Sequence, residues 1–156
     1  MRVRRWAAFA VACVAVVALL SLYLWAGVPI RRGHVAVPPA AAGPDDVMRA
    51  YFDAVDANDK ATQRALWAAG RAPGIDSDDV RTVTGVRVVE QDAYVPLPED
   101  PAELSAYRDV VRLLMSFRVH YWPVHDDPQQ PTATFYLLVR NGAHEPWRIW
   151  GAGAFV

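Results

Sequence analysis

From Trp6 to Ile30 no position carries a charge, and apolar side chains dominate the run. A helix rises about 1.5 Å per residue, so about 20 such residues cross the roughly 30 Å hydrocarbon core of a bilayer. Its backbone groups pair within the helix, as lipid requires. The pattern predicts a transmembrane anchor over residues 6–30. Arg2, Arg4 and Arg5 precede the run and Arg31 and Arg32 follow it, with Trp6, Tyr23 and Trp25 near its ends. Aromatic rings favour the membrane interface, and the excess of arginine before the run directs the N-terminus to the cytoplasm and the rest of the chain outside. A cleaved signal peptide has a shorter apolar region, about 7–15 residues, followed at once by a small-residue site. Here the nearest such pattern, Ala40-Ala41-Ala42, lies ten residues beyond the run, which favours an uncleaved signal-anchor. Cys13 follows Ala10-Val11-Ala12, a weak lipobox, and the apolar run continues well past it. It reads as a small apolar residue within the span.

After the anchor the pattern changes. Residues 1–32 form the flank and anchor, 33–43 a linker of small residues and proline, and 44–156 a single domain. The domain opens with a helix over Pro44–Asn58. Pro44 suits its first turn, Asp45 and Asp46 complement the positive end of its dipole, and Val47, Tyr51, Ala54 and Val55 recur on one face. Asp59 is placed to cap a second helix, from Lys60 to about Ala69, that buries Leu66 and Trp67. Gly70 to Asp79 is a loop. Strands are expected over Val80–Tyr94, Arg108–Trp122, Thr132–Arg140 and Trp147–Val156. In the second, Val111, Leu113, Met115, Phe117, Val119 and Tyr121 alternate with Arg108, Arg112, Ser116, Arg118 and His120, the mark of a half-buried antiparallel strand. Pro96, Pro98 and Pro101 break the pattern between the first two strands, where a short helical turn fits Ala102–Ala106. Asn141-Gly142 forms the last turn. Helices first and strands after, the last three a meander, indicate an α+β fold with an antiparallel sheet.

Charge sharpens the division. All 17 acidic residues lie at or after Asp45, against 11 of the 16 basic ones, so the domain carries a net charge of −6 within a chain of −1. A net acidic domain argues against nucleic acid as a partner, since phosphate neutralisation needs a basic face, and it disfavours a domain lying flat on an anionic membrane. The domain has no cysteine, which excludes disulfides, thiolate metal sites and a cysteine nucleophile.

The segment Pro44-Asp-Asp-Val-Met-Arg-Ala-Tyr-Phe-Asp-Ala-Val-Asp-Ala-Asn-Asp59 is similar to the opening of NTF2-like (cystatin-like α+β cone) domains, in which a helix with a Tyr-Phe pair runs into an Asn-Asp turn. The ending Pro146-Trp-Arg-Ile-Trp-Gly-Ala-Gly153 resembles the last strand of small membrane-anchored or secreted actinobacterial NTF2-like domains of unknown function. The resemblance covers about residues 44–156. It implies a sheet wrapped around helices, with a pocket at the wide end of the cone. The superfamily holds enzymes and non-enzymes alike, so the fold transfers no function. Catalytic members such as ketosteroid isomerases use a pocket Asp with a Tyr and an acidic partner, a set this sequence does not match.

Other candidate chemistry is weak. His120 and His125 flank a strand end and a turn, short of the three or four converging ligands zinc needs. Asp76, Asp78 and Asp79 lack the frame of a calcium loop. Arg108, Arg112 and Arg118 share a strand face and are placed to pair with acids on neighbouring strands or to meet an acidic ligand or partner. Gly151 and Gly153 suit close packing or bending of a strand rather than phosphate binding. No catalytic or metal-binding residue and no cofactor is assigned. If a pocket exists, Tyr51, Trp67 and Tyr121 are the expected wall. The sequence is thus read as a membrane-tethered, non-catalytic domain that binds a partner protein or a small apolar ligand at the cell envelope. The alternatives are a structural component of an envelope or secretion assembly, and a ketosteroid-isomerase-like enzyme.

Overall fold

The structure, a computed structural model, describes residues 16–17, 33–75, 77–78, 80–121 and 131–153. The predicted anchor falls almost entirely outside the described residues, as do Cys13, Trp122, His125, Asp76 and Asp79. Among the described residues no helix is long and apolar enough to cross a membrane. The chain divides into two units, Met1–Ile30 and Arg31–Val156; the fold is that of the second.

That unit is α+β. Helices α1 (Pro44–Asp56) and α2 (Lys60–Leu66) precede four strands, β1 (Val80–Ala93), β2 (Asp109–Tyr121), β3 (Thr132–Arg140) and β4 (Arg148–Gly153), with a 3-10 turn at Leu104–Ala106. The strands form one antiparallel meander in the order β1-β2-β3-β4. Both helices end earlier than their periodicity suggests. Asn58 takes a positive φ of 52° and turns the chain; the Asp59 side chain then accepts the Thr62 amide and starts α2. After Leu66 the chain becomes extended, and Ala68 donates to the Ile149 carbonyl at 2.8 Å while Trp67 bridges Ile149. The residues expected to finish α2 instead cover part of the outer edge of β4, which would otherwise present unpaired backbone groups.

β1 pairs with β2 through three register shifts, between Val80 and Thr82, Thr84 and Arg87, and Val88 and Glu90. Each extra residue bends its strand and increases the local twist, so the sheet curves. Gly85, at the second shift, has φ +65°, a conformation that glycine adopts without steric cost. Asp56, the last residue of α1, accepts from Thr82 Oγ1 at 2.7 Å and the Val83 amide at 2.8 Å, fastening the helix end to the start of β1.

The concave face packs on α1. Val47, Met48, Tyr51, Phe52 and Val55 meet Leu113, Met115, Phe117, Val119, Tyr136, Leu138 and Ile149 in the main core. The opposite face was expected to be solvated. At one end it is not: Leu137, Val139 and Val110 form a second core with Ala68, Leu104 and Trp150, flanked by Tyr94 and Tyr107. The proline-interrupted segment between β1 and β2 folds back over the sheet, so residues 136–139 of β3 are buried on both faces. Arg71 stacks on Trp150 at 3.9 Å at the margin of this cluster.

The first residues of the linker are bound to the domain. The Gly33 amide donates to the Ala57 carbonyl at 3.2 Å, the Val35 amide to Asp59 Oδ2 at 3.0 Å, and Thr62 Oγ1 to the Val35 carbonyl at 2.8 Å. Asp59 therefore caps α2 with one oxygen and holds the linker with the other, which also meets His34 Nδ1 at 3.2 Å. The Val35 and Thr62 amides that it accepts pull its carboxyl down to about 2.

Candidate functional site

A cavity of about 450 Å³ lies at one end of the concave face. Three strands and one loop build it. β2 gives Phe117, Val119 and Tyr121, β3 gives Thr132, Thr134 and Tyr136, β4 gives Ala152 and Gly153, and the loop before β1 gives Gly74 and Ile75. The β2 and β3 contributors are alternate residues, which share one face of a strand. Phe117, Val119 and Tyr136 are buried and form the floor, whereas Thr132 is exposed and Tyr121 is 44 % exposed. The mouth therefore sits where β2 ends and β3 begins. Gly153, at φ +146°, ends the described part of β4 against the cavity.

Behind the floor lies an aromatic cluster. Phe52 stacks on Phe117 with centroids 4.5 Å apart, and Tyr51 lies 6.2 Å from Tyr136 and 6.0 Å from Trp67. Tyr51 Oη and Trp67 Nε1 are both buried without a hydrogen-bond partner. Burial pushes the Tyr51 hydroxyl up to about 12; the Ile75 amide and the Trp67 indole N–H lie near enough to oppose this, yet neither makes a well-aligned bond. Tyr136 is likewise raised, by burial first and then by the neighbouring Tyr51 and Tyr121 hydroxyls. Both buried hydroxyls stay protonated at neutral pH.

The cavity is thus an apolar and aromatic hollow with threonine and tyrosine hydroxyls around it. None of its described lining residues is an Asp, Glu or His. A general base needs a titratable group within hydrogen-bond reach of the proton it abstracts, and among the described residues the lining offers no carboxylate or imidazole for that role. Among the described residues no three His, Cys, Asp or Glu side chains converge on a metal position. A second, more polar hollow of about 300 Å³ adjoins the same loop, lined by Lys60, Gln63, Arg64, Pro73 and Ser77 with Gly74 and Ile75.

Of the residues the sequence singled out for a pocket wall, Tyr121 lines the cavity. Tyr51 and Trp67 belong to the core behind it. His120 Nε2 lies 3.0 Å from Thr84 Oγ1. Asp78 pairs with Lys60. Arg112 sits 3.8 Å from Asp92 on the neighbouring strand and over the Phe135 ring at 4.8 Å, a cross-strand structural role; Arg108 and Arg118 are exposed. The residues that sequence reasoning passed over are Phe117, Val119, Thr132, Thr134 and Tyr136. Their alternation was visible, but which of two strand faces closes a cavity depends on the β2–β3 pairing, here Leu113 opposite Tyr136 and Phe117 opposite Thr132.

No family model matches the sequence, and comparisons with curated proteins and with solved structures return no match.

Proposed function

We propose that the chain is a membrane-tethered, extracytoplasmic domain of the NTF2-like type that binds a small apolar ligand without transforming it. The cavity carries this reading. Ligand sites are typically concave, largely apolar and about 300–1,000 Å³, with a few polar groups to fix orientation. The hollow over Phe117, Val119 and Tyr136, rimmed by Thr132, Thr134 and Tyr121, has that size and character. Two helices before a curved four-stranded meander support the cone-type fold, and the apolar run at 6–30 supports the tether. The lining favours binding over catalysis, because the hydroxyls nearest the floor are tyrosines held above their ordinary pKa.

The test is a fluorescence titration of residues 33–156, which carry the two described cores, with the apolar dye 1-anilinonaphthalene-8-sulfonate. Saturable enhancement at one site is expected, and Thr134→Trp, which fills the cavity, should remove it. Enhancement unaffected by that substitution would place binding elsewhere. Turnover of an unsaturated ketosteroid would revive the enzyme reading.

A further inference from the structure

The hydroxyls of the cavity run in a row along β3. Thr132, Thr134 and Tyr136 are alternate residues of one strand face, and a strand rises about 3.4 Å per residue, so the row runs about 14 Å from mouth to floor. Exposure falls along it: Thr132 is exposed, Thr134 half-buried, and Tyr136 only 2 % exposed. Thr132 and Tyr121 meet water at the mouth. At the floor the neighbouring side chains, Phe117 and Val119, are hydrocarbon. Among the described residues, Tyr136 carries the polar group found there.

That group lacks a partner. Tyr136 Oη is surrounded by buried protein and by the Tyr51 and Tyr121 hydroxyls, and no described residue hydrogen-bonds to it. Nor is it sealed in the core. Among the described residues, the unpartnered side-chain atoms shut off from water are Tyr51 Oη, Trp67 Nε1 and Arg112 Nε. Tyr136 Oη therefore opens onto the hollow, on the side of the Tyr121 hydroxyl at its mouth. A phenol proton stripped of water in an apolar setting, with no acceptor in exchange, carries the full cost of its lost hydration. A molecule that fills the hollow and expels water removes that cost only if it brings an acceptor of its own. A plain hydrocarbon does not.

Charge narrows the choice further. The described lining holds no Lys, Arg, His, Asp or Glu. A charged group carried to the floor would be buried without a counter-charge, which costs far more than an unpaired dipole.

We propose that the cavity's ligand is an uncharged, largely apolar molecule bearing one hydrogen-bond-accepting oxygen, a ketone or ester carbonyl in chemical class, and that Tyr136 Oη donates to that oxygen at the floor. This deepens the apolar-ligand reading and rests on it. Burial raises the Tyr136 hydroxyl above its ordinary value, so the donated proton is present throughout the neutral range. The hydrocarbon part of the ligand covers Phe117 and Val119, and the Thr134 hydroxyl stands midway along the wall.

The residues of both cores lie within positions 35–150, so residues 33–156 carry the fold and serve for the test. Two probes share one skeleton and differ by a carbonyl: 1-tetralone and tetralin. Their affinities are measured by calorimetry for the unaltered domain and for Tyr136→Phe, which deletes the hydroxyl and keeps the ring. Thr134→Trp, with its fold confirmed by circular dichroism, identifies binding in the cavity. Tyr136→Phe should weaken 1-tetralone about tenfold, the scale of one hydrogen bond, and leave tetralin unchanged or tighter. The infrared carbonyl stretch of bound 1-tetralone should lie below its position in hexane and move back in Tyr136→Phe. An equal change for both probes, a ketone indifferent to loss of the hydroxyl, or a cavity that takes tetralin and refuses 1-tetralone would overturn the donor assignment and leave apolar-ligand binding standing. If neither probe shows binding that Thr134→Trp abolishes, the apolar-ligand reading falls and the donor assignment with it.

Discussion

The two ends of the sheet are built on different terms. At the end where β1 runs into β2, the chain closes over both faces: α1 covers one, and the segment from Tyr94 to Tyr107 covers the other, burying Leu104, Leu137 and Val139. At the opposite end the described residues of the concave face leave a hollow over their floor, and behind it Tyr51 Oη and Trp67 Nε1 are buried without a well-aligned hydrogen bond. Interiors normally pack to crystal-like density and pair their buried polar groups. The closed end obeys the first rule and the cavity end breaks it, while unpartnered buried atoms occur at both, since Arg112 Nε at the closed end also lacks a partner. The difference separates the part of the molecule that holds the fold from the part left available for a ligand.

Substitutions can break or sharpen this contrast. The largest effect is expected at the closed end. Leu137→Ala should cost about 2–5 kcal/mol in urea denaturation, because it removes packing from a fully buried site that cannot collapse. Ile75→Ala, half-buried beside the cavity, should cost clearly less; equal costs would erase the distinction between the ends.

Asp59→Ala comes next. Loss of an N-cap costs about 0.5–2 kcal/mol, and here it also releases the Val35 amide, which hydrogen exchange will report as lost protection. The pH dependence follows from the carboxyl's depression to about 2. The folded chain holds Asp59 ionised more strongly than the unfolded one does, so its stabilisation is present above the ordinary Asp pKa of about 3.9. It is lost as pH falls from there to about 2, because protonation then favours the unfolded chain. The variant should show a shallower acid transition over that range.

Tyr51→Phe runs the other way. Deleting an unpartnered buried hydroxyl should stabilise the domain by about 1 kcal/mol. Its hydroxyl is pushed up to about 12. Above pH 10 the unfolded chain therefore ionises first and stability declines with pH; the variant should show a smaller decline. Destabilisation instead would mean that the hydroxyl is paired in solution.

Smallest is Tyr121→Arg. An exposed position away from caps and cores should change stability by no more than about 0.5 kcal/mol, while dye binding in the cavity is lost. Undiminished binding would remove the mouth from its assigned place.

How far the sequence reached follows the same division. Local signals were legible: Val47, Tyr51, Ala54 and Val55 do form the buried face of α1, Asp59 does cap α2, and the odd positions Leu113 to Val119 of β2 do face the core. Each rests on periodicity or capping within a few residues. The second core was not legible. Leu104, Tyr94 and Tyr107 stand among prolines and charges, and nothing local says that such a segment folds back onto Leu137 and Val139. Nor was the cavity. Aromatic content drew attention to Tyr51 and Trp67, but packing put them behind the floor, and the lining fell to residues selected by strand register and by the bulges that curve β1. The linker's composition suggested a plain spacer, and only the tertiary fold brings Val35 to Asp59, 24 positions on.

The most direct measurement is a crystal of residues 33–156 pressurised with xenon, which binds apolar cavities and not hydrated polar ones. Xenon density over Phe117, Val119 and Tyr136 is the expected result. A hollow without xenon, occupied instead by waters bonded to Thr132, Thr134 and Tyr136, would contradict an apolar ligand site.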